Sequence, residues 1–114
     1  MTGIYRSSKT NKLEKYDSSF ELTRFKALDE SPLVESWTKN HNIKIRYKLG
    51  KRRKKYIPDI LVKYKDGRVF IEEVKGYVWD KKKFAMKNLY AVSFCMSKGM
   101  TYRIIYSELL STVS

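Results

Sequence analysis

The stretch Tyr56-Ile57-Pro58-Asp59-Ile60-Leu61-Val62-Lys63-Tyr64-Lys65-Asp66-Gly67-Arg68-Val69-Phe70-Ile71-Glu72-Glu73-Val74-Lys75-Gly76 reads as two strands joined by a tight turn. Tyr56 to Tyr64 carries Ile60-Leu61-Val62, which suits burial on both faces. Asp66-Gly67 is hairpin chemistry, and Arg68 to Val74 returns as the next strand. Loop length decides which side chains meet. With Asp66-Gly67 alone as the turn, Lys65 would oppose Arg68 and Asp59 would oppose Val74, on the wrong face. With a loop of Lys65-Asp66-Gly67 and a left-handed Gly67, Tyr64 opposes Arg68 and Asp59 opposes Glu73. Gly in third position suits the longer loop, so Asp59 and Glu73 are expected side by side. Lys75 shares the face of Glu73, two residues on, while Glu72 points the other way with Val74.

Outward from this hairpin, the remaining elements follow from spacing. Ser18 or Ser19 is a good N-cap, and Leu22, Phe25 and Leu28 recur at helical intervals behind it. Ser31-Pro32 breaks that helix and opens a short second turn packed by Leu33, Val34 and Trp37. Ile43 to Leu49 alternates apolar and basic residues as a half-buried strand, with Gly50 and the run Lys51 to Lys55 as the turn after it. A long helix spans Lys81 to Lys98, with Asp80 as N-cap, Trp79 and Phe84 as a hydrophobic staple and Gly99 as the stop. Its apolar stripe is Phe84, Ala85, Ala91, Val92, Cys95 and Met96, which makes Cys95 a core residue rather than a nucleophile. Asn88 lies beside that stripe. Thr101 to Tyr106 is the last strand, with a helical turn over Ser107 to Leu110. The fold class is α/β (α+β): helix, three-strand meander, helix, strand, in a mixed sheet flanked by helices.

The chain has 114 residues with 25 Lys+Arg against 12 Asp+Glu, a net charge of +13. That length supports one core. Residues 1–17 show no apolar period and read as a flexible basic arm, with Tyr5, Arg6, Lys9, Lys12 and Lys15; residues 18–114 form the single domain. One Cys and one His exclude an internal disulfide framework and a zinc finger. No stretch is apolar enough to span a bilayer and no signal peptide opens the sequence, so a soluble, intracellular, unsecreted protein is expected. The charge favours a polyanion partner, nucleic acid first, with a domain basic only for solubility or one seated on an acidic membrane as the rival readings.

Several ionisable residues sit where core building would not put them. Glu21 shares the helix stripe of Phe25 and Leu28; on the residues alone, first-turn placement against the helix dipole is the favoured explanation. Pro58-Asp59 sits inside an apolar strand, either as an edge kink with a solvated Asp or as a carboxylate fixed at a distortion. Glu73 and Lys75 form either a strand-end ion pair or a metal-binding acid with a lysine for water or phosphate. Carboxylates gathered at one point need a cation, and all-oxygen ligands select Mg²⁺, with Mn²⁺ as a substitute. Lys51, Arg52, Arg53, Lys54 and Lys55 form a loop cluster that reads as a DNA contact in preference to a solvated basic turn. Lys83 and Lys87, on a second helix face with Tyr90 and Phe94, suit DNA, a dimer interface or ordinary partial burial. His41 reads as a loop residue.

Glu21 on a first helix, Pro58-Asp59 on a strand and Glu73-Val74-Lys75 on the next resemble the PD-(D/E)XK nuclease superfamily. Tyr56-x-Pro58-Asp59, the Asp66-Gly67 turn and Glu73-Val74-Lys75-Gly76 are similar to its branch with TnsA-type endonucleases, small phage endonucleases and Holliday-junction resolvases. The resemblance covers roughly residues 18–106. It implies a restriction-endonuclease-like αβββαβ core and Mg²⁺-dependent hydrolysis of DNA phosphodiesters. Asp59, Glu73 and the Val74 backbone carbonyl would be metal ligands, Lys75 the motif lysine and Glu21 the additional acid. A phage or mobile-element origin, host cytoplasm if phage-encoded, belongs to the same resemblance. A junction resolvase is the alternative enzyme; a basic DNA-binding subunit with a degenerate site is the alternative without catalysis. Specificity would come from a homodimer, a partner protein or DNA shape.

Overall fold

The computed structural model describes residues 1–113. Its centre is a four-stranded sheet in the order β3-β6-β7-β8, built from β3 (Val34–Thr38), β6 (Ile60–Tyr64), β7 (Val69–Lys75) and β8 (Thr101–Tyr106). β3, β6 and β7 run antiparallel as a meander, and β8 joins β7 in parallel after the crossover helix α2 (Lys81–Ser97). α1 (Ser19–Glu30) lies on one face and α2 on the other, as the alternation of β7 shows: Glu72 meets Arg24 of α1, and Glu73 meets Lys87 of α2. Among the described residues no helix is long and apolar enough to cross a membrane.

Local chemistry sets these elements. Ser18 caps α1, its hydroxyl accepting from the Glu21 N–H at 3.1 Å. Phe25 and Leu28 then bury against Val34, Trp37, Ile60, Val62 and Tyr64. Asp80 caps α2 by accepting from the Lys83 N–H, and Gly99 ends the helix at φ +70°. Gly67, at φ +95°, closes a loop of Lys65-Asp66-Gly67: the Tyr64 N–H donates to the Arg68 carbonyl at 2.9 Å. The register Ile60↔Glu72, Leu61↔Ile71, Val62↔Phe70 follows from it.

Four expectations are corrected. Residues 1–17 are not a loose arm but carry a hairpin of β1 (Gly3–Arg6) and β2 (Leu13–Tyr16). Asp29 anchors it, accepting from Tyr5 Oη (2.7 Å), Ser7 Oγ (2.7 Å) and the Ser8 N–H (2.8 Å), and also from Trp37 Nε1 (2.7 Å). Strands this short and anchors this scattered leave no periodic signal. Second, Ser31-Pro32 opens no helical turn: Val34 to Thr38 is β3, and a bulge between Val34 and Ser36 turns both Val34 and Trp37 inward. The three-residue spacing that looked helical is that bulge. Third, the strand after His41, β4 (Ile45–Leu49), pairs not with the central sheet but with β5 (Arg52–Tyr56), so most of the basic run is a strand instead of a loop. Gly50, at φ +62°, makes the turn between them. Fourth, the staple does not form. Trp79 is 89% exposed and packs edge-on to Tyr77, and Ala91 and Cys95 are buried while Ala85, Val92 and Met96 face outward.

A buried ion cluster fastens the sheet to α1. Arg24 and Glu72, both 0% exposed, form a two-point pair, Nε to Oε1 and Nη2 to Oε2 at 2.7 Å each. Arg103 of β8 binds the same Glu72 oxygen and donates to Tyr64 Oη. Arg24 Nη1 also reaches the carbonyls of Leu110 (3.0 Å) and Thr112 (2.6 Å).

Candidate active site

The site lies where β6 begins and β7 ends. Continuing the observed register places Asp59 opposite Glu73, as the loop length predicts. The Val74 N–H donates to Asp59 Oδ2 at 2.7 Å, which fixes the carboxylate across the hairpin. In the continued register residue 58 is the next hydrogen-bonded partner of Val74, and its carbonyl would ordinarily accept that N–H. The Pro58 carbonyl is engaged elsewhere, by His41 Nε2 at 2.8 Å. The Ile43 N–H donates to His41 Nδ1, so Nε2 is the nitrogen that carries the proton. Within a strand a residue directs its N–H and C=O to the same edge, so the Val74 carbonyl also faces Asp59, with no Pro58 N–H to claim it.

Electrostatics set this corner apart. Burial, reinforced by the Glu73 carboxylate, pushes the Asp59 carboxyl up to about 8, against the Val74 hydrogen bond and the Lys39 charge. Glu73 is buried, and its Oε1 has no hydrogen-bond partner among the described residues. Its Oε2 lies 3.7 Å from Lys75 Nζ and 3.8 Å from Lys87 Nζ, so Glu73 and Lys75 do share a face. Burial, together with the Lys75 and Lys83 charges, holds the Lys87 ammonium below the usual lysine range despite Glu73. Lys87 also stands 4.3 Å from the centre of the Tyr56 ring. Lys75, Lys83 and Lys87 border one hollow of about 220 Å³ with Phe84.

Glu21 takes a different place from the one expected of a third ligand. Its Oε1 accepts from the Asp17 N–H at 2.6 Å and from Lys39 Nζ at 2.7 Å. It is close enough to Asp59 to raise that carboxyl further. Among the described residues no three His, Cys, Asp or Glu side chains gather closely enough to hold a metal together. The assembled unit is the pair Asp59–Glu73. A buried carboxylate with an unpartnered oxygen, beside a half-buried one forced toward protonation, fits a hard divalent cation.

The sequence signals miss two members of this neighbourhood: Lys39, which binds Glu21, and His41, which orders the Pro58 carbonyl. Lys87, expected on a basic helix face, stands beside Glu73. For Lys87 the signal lay in its spacing: it stands four residues before the buried Ala91, on the inner stripe of α2.

A family model described as TnsA-like endonuclease N terminal matches residues 30–107. That span holds β3 through β8, and with them Asp59, Glu73 and Lys75; it leaves out Glu21 and the N-terminal hairpin. No curated protein matches the chain in sequence. With the match covering more than half of its length, and the strand order and acid pair in place, the chain belongs to the TnsA-like endonuclease N-terminal family, a PD-(D/E)XK-type group of nucleases.

Proposed function

We propose that this protein is a DNA endonuclease that hydrolyses phosphodiesters with a divalent cation held by Asp59, Glu73 and the Val74 carbonyl. The observation that carries the reading is the Asp59–Glu73 pair, fixed across the β6–β7 hairpin with one buried Glu73 oxygen unpartnered and the Asp59 carboxyl pushed upward. Mg²⁺, or Mn²⁺ in its place, would supply polarisation of the phosphoryl oxygen and a more acidic water. The remaining work falls to the chain. Lys75 and Lys87 present ammonium groups beside Glu73, where they hold a phosphate oxygen and offset the charge that develops on it. Lys83 extends that cationic hollow outward. Glu21, neutralised by Lys39, orders the end of α1 against the acids and stands ready as an accessory carboxylate. Lys51 to Lys55 add backbone contacts to the DNA, drawn in by the +13 charge.

The test is a cleavage panel of supercoiled plasmid, linear duplex, single strand and four-way junction, with Mg²⁺, Mn²⁺ or EDTA. Metal-dependent cutting that disappears in Asp59→Ala and Lys75→Ala supports the assignment. A junction cut in preference to every other substrate would identify a resolvase, and a Lys75→Ala protein as active as the parent would remove Lys75 from the site.

A further inference from the structure

The β4–β5 hairpin carries a surface that folding does not explain. Of the twelve residues from Lys44 to Lys55, eight are Lys or Arg, and no acidic residue occurs between Glu35 and Asp59. The register divides the hairpin into two faces. Ile45, Tyr47, Tyr56 and Lys54 turn inward, where Ile45 and Tyr47 bury and the strand packs on α2. Arg46, Lys48, Arg53 and Lys55 stand outward and exposed. In that face Arg46 sits directly opposite Lys55 and Lys48 opposite Arg53. Like charges in facing positions destabilise a strand pair, and none of these four has an acidic partner within salt-bridge distance among the described residues. A hairpin that opposes its own folding in this way is complementary to a polyanion.

Its shape narrows the polyanion. A two-stranded ribbon matches the major groove of B-form DNA, which is about 12 Å wide. The ribbon is also tied to the acid pair: three residues separate Lys55 from Asp59, a span of at most about 14 Å. Tyr56, the last residue of β5, is held under Lys87, which itself stands beside Glu73, so the end of the ribbon is tied to the site. A hollow of about 420 Å³ runs along the basic strands to Tyr90 of α2. We infer that the outer face of β4–β5, through Arg46, Lys48, Arg53 and Lys55, lies in the major groove of duplex DNA next to the phosphate presented to Asp59 and Glu73. This rests on the endonuclease reading for its substrate and adds the element that seats the duplex.

The experiment replaces all four outer residues with Gln and compares this protein with a control in which Lys12, Lys26, Lys63 and Lys65, exposed elsewhere, become Gln. Both lose the same charge. Binding to a 20-base-pair duplex is measured by fluorescence anisotropy in EDTA from 50 to 200 mM salt. Each phosphate contact contributes about 0.9 to the salt slope, so the ribbon variant should lose about 3.6 of slope and the control less than 1. Between those salt limits the parent should weaken by about 150-fold more than the ribbon variant. Methyl green, a major-groove ligand, should displace the parent, and netropsin, a minor-groove ligand, should not. The melting temperature of the ribbon variant should equal or exceed the parent's, because repulsion has been removed. Equal slope losses in the two variants, an unchanged slope in the ribbon variant, or displacement by netropsin alone would each overturn the proposal. The two readings fail separately: a parent that binds through the ribbon but leaves plasmid intact with Mg²⁺ and Mn²⁺ refutes the nuclease, and a cutting parent with an indifferent ribbon refutes the seat.

Discussion

Adjacent glutamates on β7 should give opposite phenotypes when each is changed to Gln. Glu72 is fully buried and is the shared counter-charge of Arg24 and Arg103. Removing its charge leaves two guanidinium groups in the interior, one of them fully buried, without a carboxylate. Breaking a buried pair from one side costs about 3–5 kcal/mol. Arg24 keeps the Leu110 and Thr112 carbonyls and Arg103 keeps Tyr64, so the lower end, about 3 kcal/mol, applies. For a domain of this size that lowers the melting temperature by roughly 10 °C or more. Glu73→Gln should do the reverse: without metal it removes a negative charge from beside Asp59 and leaves stability within about 1 kcal/mol of the parent, or higher. Plasmid cleavage at 20 °C should persist in Glu72→Gln and vanish in Glu73→Gln. Thermal melts in EDTA, run beside the cleavage assay, read both quantities. A stable but inactive Glu72→Gln, or an unstable but active Glu73→Gln, would show that the face assignment of β7 is wrong.

Three further outcomes are expected. Mg²⁺ at ten times its dissociation constant should stabilise the parent by about 1.4 kcal/mol and leave Asp59→Asn unmoved, as differential scanning fluorimetry would show. Gly76→Ala places a methyl group against the Phe20 ring, next to Glu21 in sequence; it should lower kcat more than it raises KM, and an unchanged kcat would mean that Phe20 yields freely. Although burial alone would raise it, hydrogen bonds from Ser7, Trp37, Ser8 and Tyr5 hold the Asp29 carboxyl below its ordinary value. Its stabilisation of the N-terminal hairpin is therefore complete above the unfolded carboxylate pKa, about 4, and is lost as pH falls through the lower folded value. Amide exchange in Gly3–Arg6 and Leu13–Tyr16 should accelerate below that range, and in Asp29→Asn it should already be fast at neutral pH.

The parts of this molecule legible in its sequence are those fixed by local chemistry. A glycine at the third loop position sets the β6–β7 register, and from that register alone Asp59, Glu73 and Lys75 fall together on one face. Ser18, Asp80 and Gly99 mark helix ends in the same local way. What stayed hidden depends on distant partners. Nothing near Arg24 in the chain announces that its counter-charge lies on β7, and nothing near Tyr5 or Ser7 points to Asp29. The β3 bulge imitates helical spacing, and a basic run reads as a solvated loop until its pairing with β4 is known. Glu21 shows the limit of motif reading: its place on α1 was foreseeable, its capture by Lys39 was not.

The path from Lys39 to Asp59 leaves the central sheet and re-enters it at neighbouring rungs, since Thr38 at the end of β3 pairs with Leu61 near the start of β6. An excursion whose two ends meet side by side is a natural graft point. Doubling the length of such a loop adds only about 0.6 kcal/mol of closure entropy. The tip at Gly50-Lys51 can thus be extended or exchanged while the hydrolytic corner keeps its geometry. If the ribbon seats the duplex and the Asp59–Glu73 corner cuts it, target preference and bond-breaking chemistry are separately heritable, and a designer could retune the first without rebuilding the second.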